Sequence, residues 1–206
     1  MLISGEKPSA PATDGRVRRS ERSRAAIVQA LFELIGEGVV APTADEVAER
    51  ASVGIRTVFR QFKDMDALYG ALDVLLYERF EPVFLPPVPD GSIHERIDEF
   101  VARRTKGYEA IAPYKRAANI KRAHAEFLQE RHEALVRRMS RDLRRWFPEM
   151  KNMETPTVHA LELVTSFEAW DRLRTDQRLG KQRAADAMKQ AMSALLGEAV
   201  RSDRGR

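Results

Sequence analysis

Arg56, Thr57, Arg60, Gln61 and Lys63 fall within one short stretch and carry the donors and acceptors that read or grip a polyanion. A guanidinium offers two donors to guanine O6 and N7, a carboxamide pairs with adenine, and a threonine bonds phosphate or touches a thymine methyl. Each good bidentate base contact discriminates by about 1–3 kcal/mol. Lys63 is a point charge placed for phosphate. Phe59, among them, is an aromatic that packs on a sugar-phosphate edge or turns inward. Catalytic signatures are missing. There is no P-loop, no G-x-S-x-G and no Cys, and His94, His124, His132 and His159 show no zinc spacing. No enzymatic activity, metal or cofactor is therefore expected, and disulfides are excluded.

Those side chains need a scaffold, and the flanking residues supply one. Thr43 and Glu46 form a T-x-x-E capping box that starts a helix, with Val47, Ala48 and Ala51 as its small buried face. Ser52-Val53-Gly54 breaks it. A second helix opens at Thr57, polar and basic outside, with Val58 and Phe62 beneath. Two short helices crossing at a turn follow the helix-turn-helix plan for entering a major groove. The N-terminus of the first, at Thr43, is placed to bind phosphate. A preceding helix from about Ser20 to Glu37 repeats Ile27, Leu31 and Leu34 at helical period. Residues 16–24 hold five Arg against one Glu, and Arg18, Arg19 and Arg22 are placed for flanking phosphates.

The run Ala51, Ser52, Val53, then Thr57, an aromatic at 59, Phe62 and Leu68 resembles the DNA-binding domain of the tetracycline-repressor (TetR) family. The likeness is specific over about residues 20–70 and architectural beyond. It implies an all-α dimeric transcription regulator of about nine helices. A three-helix helix-turn-helix DNA-binding domain would lie at the N-terminus, followed by a helical ligand-binding and dimerisation domain. The function implied is repression at a palindromic operator, released by a small-molecule effector. The competing readings are an activator of the same fold and a helical protein-interaction module without DNA binding. Several positions depart from the family pattern. Phe59 stands where tyrosine is common, Ile55 where a polar residue is frequent, Arg56 where a small one is, and Gln61 where His or Tyr is. Met65 stands where a lysine is often found.

At 206 residues, 43% hydrophobic and 32% charged, the chain can bury a substantial core. No apolar run approaches bilayer length and no signal peptide is visible, so a cytoplasmic location is expected. Residues 1–15 read as a disordered arm, or one that reaches a minor groove; 16–70 as the DNA-binding domain; 71–206 as the effector-binding and dimerisation domain. A fourth helix starts near Asp64 and is expected to end near Phe80, terminated by Pro82. Ser92 and Glu95 cap a fifth, which Pro113 is expected to interrupt. A long helix then ends at Trp146-Phe147-Pro148. Thr155-Pro156 opens another, running to about Thr175, and Gly180 precedes the last, at about 181–200.

In the C-terminal part the resemblance implies a largely apolar effector cavity between helices. Tyr108, Phe127, Trp146, His159 and Trp170 are its candidate lining residues. Aromatic residues at helical spacing also fit a plain core. The last helix carries Ala184, Ala187, Ala191, Ala194 and Leu195, the candidate homodimer interface with a symmetry mate.

Overall fold

α1 (Ala12–Gly36) sets Ile27, Ala30, Leu31, Leu34 and Ile35 on one buried stripe. The computed structural model describes residues 12–84, 87–88, 90–122 and 126–203. Among these the elements are nine α-helices and one 3-10 turn, with no strand, so the chain is all-α as expected. Residues 1–11 of the expected arm lie outside the described residues. Ala12–Gly15 are already helical, well ahead of the start expected near Ser20. No proline follows in the sequence before Gly36.

α2 (Ala44–Arg50) and α3 (Ile55–Gln61) follow, and then α4 (Met65–Phe84). The chain divides between Leu75 and Leu76, inside α4, into two units. In the first unit α1, α2 and α3 pack on one another, burying Val47 and Ala48 of α2 and Val58 and Phe62 of the α3 segment. α1 and α2 end alike. Val39 N–H bonds Leu34 carbonyl and Gly38 N–H bonds Ile35 carbonyl; Val53 N–H bonds Ala48 carbonyl and Ser52 N–H bonds Glu49 carbonyl. This is the paired return that closes helix ends through a left-handed residue. Gly38 takes it at φ 100° and Ser52 at φ 53°.

The second unit contains α5 (Ile93–Arg122), α6 (Glu126–Trp146), a 3-10 turn (Pro148–Asn152), α7 (Thr155–Val164), α8 (Phe167–Thr175) and α9 (Lys181–Asp203). Three sequence expectations are corrected here. Pro82 lies inside α4, and Pro113 lies inside α5 instead of ending it. A proline removes one N–H and crowds the carbonyl four residues back. Burial of Tyr108, Ala112, Tyr114 and Ala117 on both sides of Pro113 outweighs that cost. Conversely, the helix expected over 155–175 is broken at Thr165-Ser166. Thr165 Oγ1 donates to Leu161 carbonyl at 2.8 Å, and Ser166 Oγ accepts from Ala169 N–H at 3.1 Å. Hydroxyls that bond backbone locally compete with continuous helix and favour a new start.

The unit's core joins Phe100 and Val101 of α5, Leu143 and Trp146 of α6, Leu161 of α7, Trp170 of α8 and Met188 and Met192 of α9. Phe100 meets Trp146 edge-on at 5.5 Å and Phe147 at 5.4 Å. Polar side chains are threaded through it. Tyr108 Oη donates to Thr165 carbonyl at 2.6 Å, satisfying backbone at the α7–α8 break. Trp170 Nε1 and Arg174 both donate to Glu109. Arg104 and Asp142, both buried, pair at 3.3 Å. Burial pushes the Asp142 carboxyl above its ordinary range although Arg104 and Arg145 pull it down, so desolvation outweighs attraction at this pair. Replacing Asp142 by Leu alone should cost about 3–5 kcal/mol, because the Arg104 guanidinium is left buried without its anion. Adding Arg104→Met should return most of it. Urea unfolding midpoints of the single and double variants measure both.

Candidate functional site

The first unit presents a seven-residue helix, α3, whose two faces differ sharply. Val58 and the adjoining Phe62 are buried at 1% and 2% exposure, while Arg56, Phe59, Arg60 and Lys63 are exposed. Phe59 is 51% exposed, so it turns outward. Thr57 is half-buried, and its hydroxyl lies 3.5 Å from Arg60 Nη2. Arg18, Arg19 and Arg22 are exposed on the early turns of α1.

Two of the candidate contact residues are already occupied within the protein. Gln61 is half-buried and its Nε2 donates to Ser20 Oγ of α1 at 3.0 Å. In this arrangement it braces α3 against α1. Thr43 donates through both N–H and Oγ1 to the Glu46 carboxylate, at 2.7 and 2.8 Å. Its hydroxyl also accepts from Glu46 N–H, completing the capping box. A phosphate at Thr43 would have to displace that carboxylate.

Arg24 is a residue that sequence reasoning missed. Its Nη1 donates to Gln61 carbonyl at 2.8 Å, at the negative end of α3, and its guanidinium sits 4.1 Å from the Phe62 ring centre. The signal was present in the cationic run at 16–24, but nothing in it singled out Arg24 from its neighbours.

The second unit contains a cavity of about 80 Å³. Tyr108, Ile111 and Lys115 of α5 face it, as do His132, Leu135, Val136, Met139, Ser140 and Leu143 of α6. Phe84, Glu162 and the segment Thr165–Glu168 complete the wall. Of the five residues expected to line an effector site, Tyr108 borders this cavity. Trp146 and Trp170 are sealed in the core at 1% exposure; Trp146 borders a separate space of about 10 Å³. Phe127 is half-buried outside the wall, and His159 is exposed, 3.8 Å from Glu162. Large aromatics fill space, so they sit where no space remains. The lining follows instead from spacing: 108, 111 and 115, then 132, 135, 136, 139 and 143, each mark one helical face.

On α9, Ala184 is fully buried in its own unit, with Ala185, Met188, Met192 and Leu196. It is thus not offered to a second chain. Leu195 is half-buried against the same core. Ala187 and Ala191 are half-buried and Ala194 is exposed, along a neighbouring edge of the helix.

No family model and no curated protein matches the sequence. Solved structures do match the fold. A putative TetR-family transcriptional regulator from Mesorhizobium loti is 18% identical, with TM-score 0.65 over 87% of this chain and 97% of that one. A transcriptional regulator from Rhodococcus sp. RHA1 is 17% identical, with TM-score 0.62 over 87% and 96%. A TetR-like regulator from the same organism gives 0.51 at 16% identity, over 91% and 97%. The chain has the TetR-type fold. Within that TetR-type architecture the helix-turn-helix of the first unit is α2 and α3. Among the described residues no helix is long and apolar enough to cross a membrane.

Glu46 and Glu37 are the carboxylates of the first unit through which acid is expected to act. Thr43's N–H and hydroxyl hold the Glu46 carboxyl below its ordinary value of 4.5, and hydrogen bonding from Arg50 does the same for Glu37. A lowered folded pKa means stability present above the unfolded value and lost as pH falls through the folded one. Amide exchange in α2 should stay slow from neutral pH down to about 5 and accelerate below 4.5 relative to the intrinsic rate. A Thr43→Ala, Glu37→Gln variant should have a shallower acid limb. An unchanged limb would show that these carboxylates are not the cause.

Proposed function

We propose that the protein is a homodimeric, sequence-specific DNA-binding regulator, acting as a repressor released from a palindromic operator by a small-molecule effector. One observation carries the reading. α3 buries Val58 and Phe62 while Arg56, Phe59, Arg60 and Lys63 stand exposed beside the basic early turns of α1. Arg56, Thr57 and Arg60 then read base edges, Phe59 packs on sugar or a thymine methyl, and Lys63, Arg18, Arg19 and Arg22 take phosphates. Gln61 reads bases only by releasing Ser20. Thr43 contributes only by loosening its capping box.

A single seven-residue helix makes few contacts, so two copies are required, with half-sites about 34–36 Å apart or a multiple. Ala187, Ala191 and Ala194 form the close-approach edge of the pairing face, and Leu163, 65% exposed on α7, adds apolar area. The effector occupies the cavity of the second unit. Phe84, the last residue of α4, belongs to the cavity wall, and α4 begins in the DNA-binding unit. An effector that prefers one position of α4 therefore shifts the spacing of the two α3 helices. A preference of about 1–3 kcal/mol changes operator affinity about 5–150-fold.

The test is selection of random duplex DNA on the purified protein, expected to enrich a palindrome. Arg56→Ala and Arg60→Ala should each cost about 1–3 kcal/mol and relax preference at particular base pairs. Lys63→Ala should weaken all sequences alike and lower the salt slope by about 0.9. Binding without salt dependence, or no enriched sequence, would favour the protein-interaction reading.

A further inference from the structure

We propose that Ser20 and Arg24 of α1 are positioning residues for α3, gripping its end through Gln61 and so fixing the direction in which Arg56, Phe59 and Arg60 are presented to a duplex. This deepens the DNA-binding reading above and rests on it.

Ser20 and Arg24 lie four positions apart, on one face of α1. Both meet Gln61, the last residue of α3. Gln61 Nε2 donates to Ser20 Oγ at 3.0 Å, and the same hydroxyl lies 3.5 Å from Oε1. Arg24 Nη1 donates to Gln61 carbonyl at 2.8 Å. Its guanidinium also stands 4.1 Å from the centre of the Phe62 ring. Gln61 is thus held by side chain and by backbone, and its neighbour by an aromatic face.

The end of α3 needs such partners. The final carbonyls of a helix have no bond within it and carry partial negative charge. After Gln61 the chain turns extended, with Phe62 at φ −135° and ψ 126°, so no further helical turn covers the Gln61 carbonyl. A cation from a neighbouring helix is favoured at such an end. Phe62 is 2% exposed, and Arg24 therefore bridges the helix terminus and the packed ring beneath it.

The clamp joins two kinds of candidate contact. Arg18, Arg19 and Arg22 are exposed on the same early turns of α1 and are the candidates for phosphate. Arg56, Thr57 and Arg60 are the candidates for bases. Phosphate contacts set orientation and register, and base contacts specify. With α1 tied to α3 through Gln61, the seat that α1 takes on phosphate sets the reach of the base-reading side chains. The Gln61 carboxamide is engaged by Ser20, so its effect on recognition is indirect and spread evenly over the site.

Affinities of the full chain for its selected operator and for a scrambled duplex, measured across a salt series, test the assignment. Ser20→Ala and Gln61→Ala should each weaken operator binding about two- to tenfold. The double variant should lose no more than either alone, because both remove one bond. Binding to the scrambled duplex should be unchanged, a split that partial unfolding would not produce. Selection repeated with each variant should return the same palindrome, weakened evenly and not at one position. Arg24→Met should cost at least about tenfold on the operator at an unchanged salt slope, and Arg24→Lys should recover part of it. Relaxed preference at one base pair in Gln61→Ala but not in Ser20→Ala makes Gln61 a base reader and overturns the assignment. Additive losses in the double variant overturn it too, as does a lower salt slope in Arg24→Met, the mark of a phosphate contact. Variants that bind the operator as the wild type does overturn this inference alone, whereas a wild-type protein that selects no operator removes the regulatory reading and this role with it.

Discussion

α3 is too short to be helical on its own account. Seven residues form two turns, and an isolated helix of that length does not persist in water. It exists because Val58 and Phe62 are buried, because the turn before it closes through Ser52, and because Arg24 holds its last carbonyl. Arg24 serves twice, meeting the negative helix end and covering the Phe62 ring. Gln61 adds a bond to α1. The outward direction of Arg56, Phe59 and Arg60 is a by-product of these inward ties. Any nucleic-acid contact made by α3 inherits its geometry from packing on α1 and α2.

The second unit solves a different problem, that of irregular backbone beside a core. The break between α7 and α8 exposes carbonyls that continuous helix would have satisfied. The Thr165 hydroxyl, donating to Glu162 carbonyl, and the Tyr108 phenol, donating to Thr165 carbonyl, take over that work. The same break leaves room, and Thr165, Ser166, Phe167 and Glu168 form one side of the cavity. The interruption and the binding space are therefore one feature of the fold, and Tyr108 belongs to both.

Local signals in the sequence were the legible ones. The boxes Thr43–Glu46 and Ser92–Glu95, the break at Ser52-Val53-Gly54 and the periodic stripe of α1 depend on residues three or four apart, and the structure contains each. Proline was misleading as a stop signal at 82 and 113; at 113 its local cost is set against burial by distant helices that no short window reveals. The exposed face of α3 was legible too, except for Gln61, whose partner Ser20 lies 41 positions away. Cavity residues were the hardest. Aromatic identity pointed to Trp146 and Trp170, which are core; Lys115 and His132 carry no signal until α5 and α6 lie side by side.

Gly107 is buried in α5 directly beneath Phe84. A Cβ built at position 107 would stand 2.5 Å from that ring, closer than any real contact. The phenyl group at the end of α4 is thus seated on bare backbone. Any retuning of the wall on α6 has to spare Leu143 and the buried Asp142, and even alanine at position 107 would require the Phe84 ring to move.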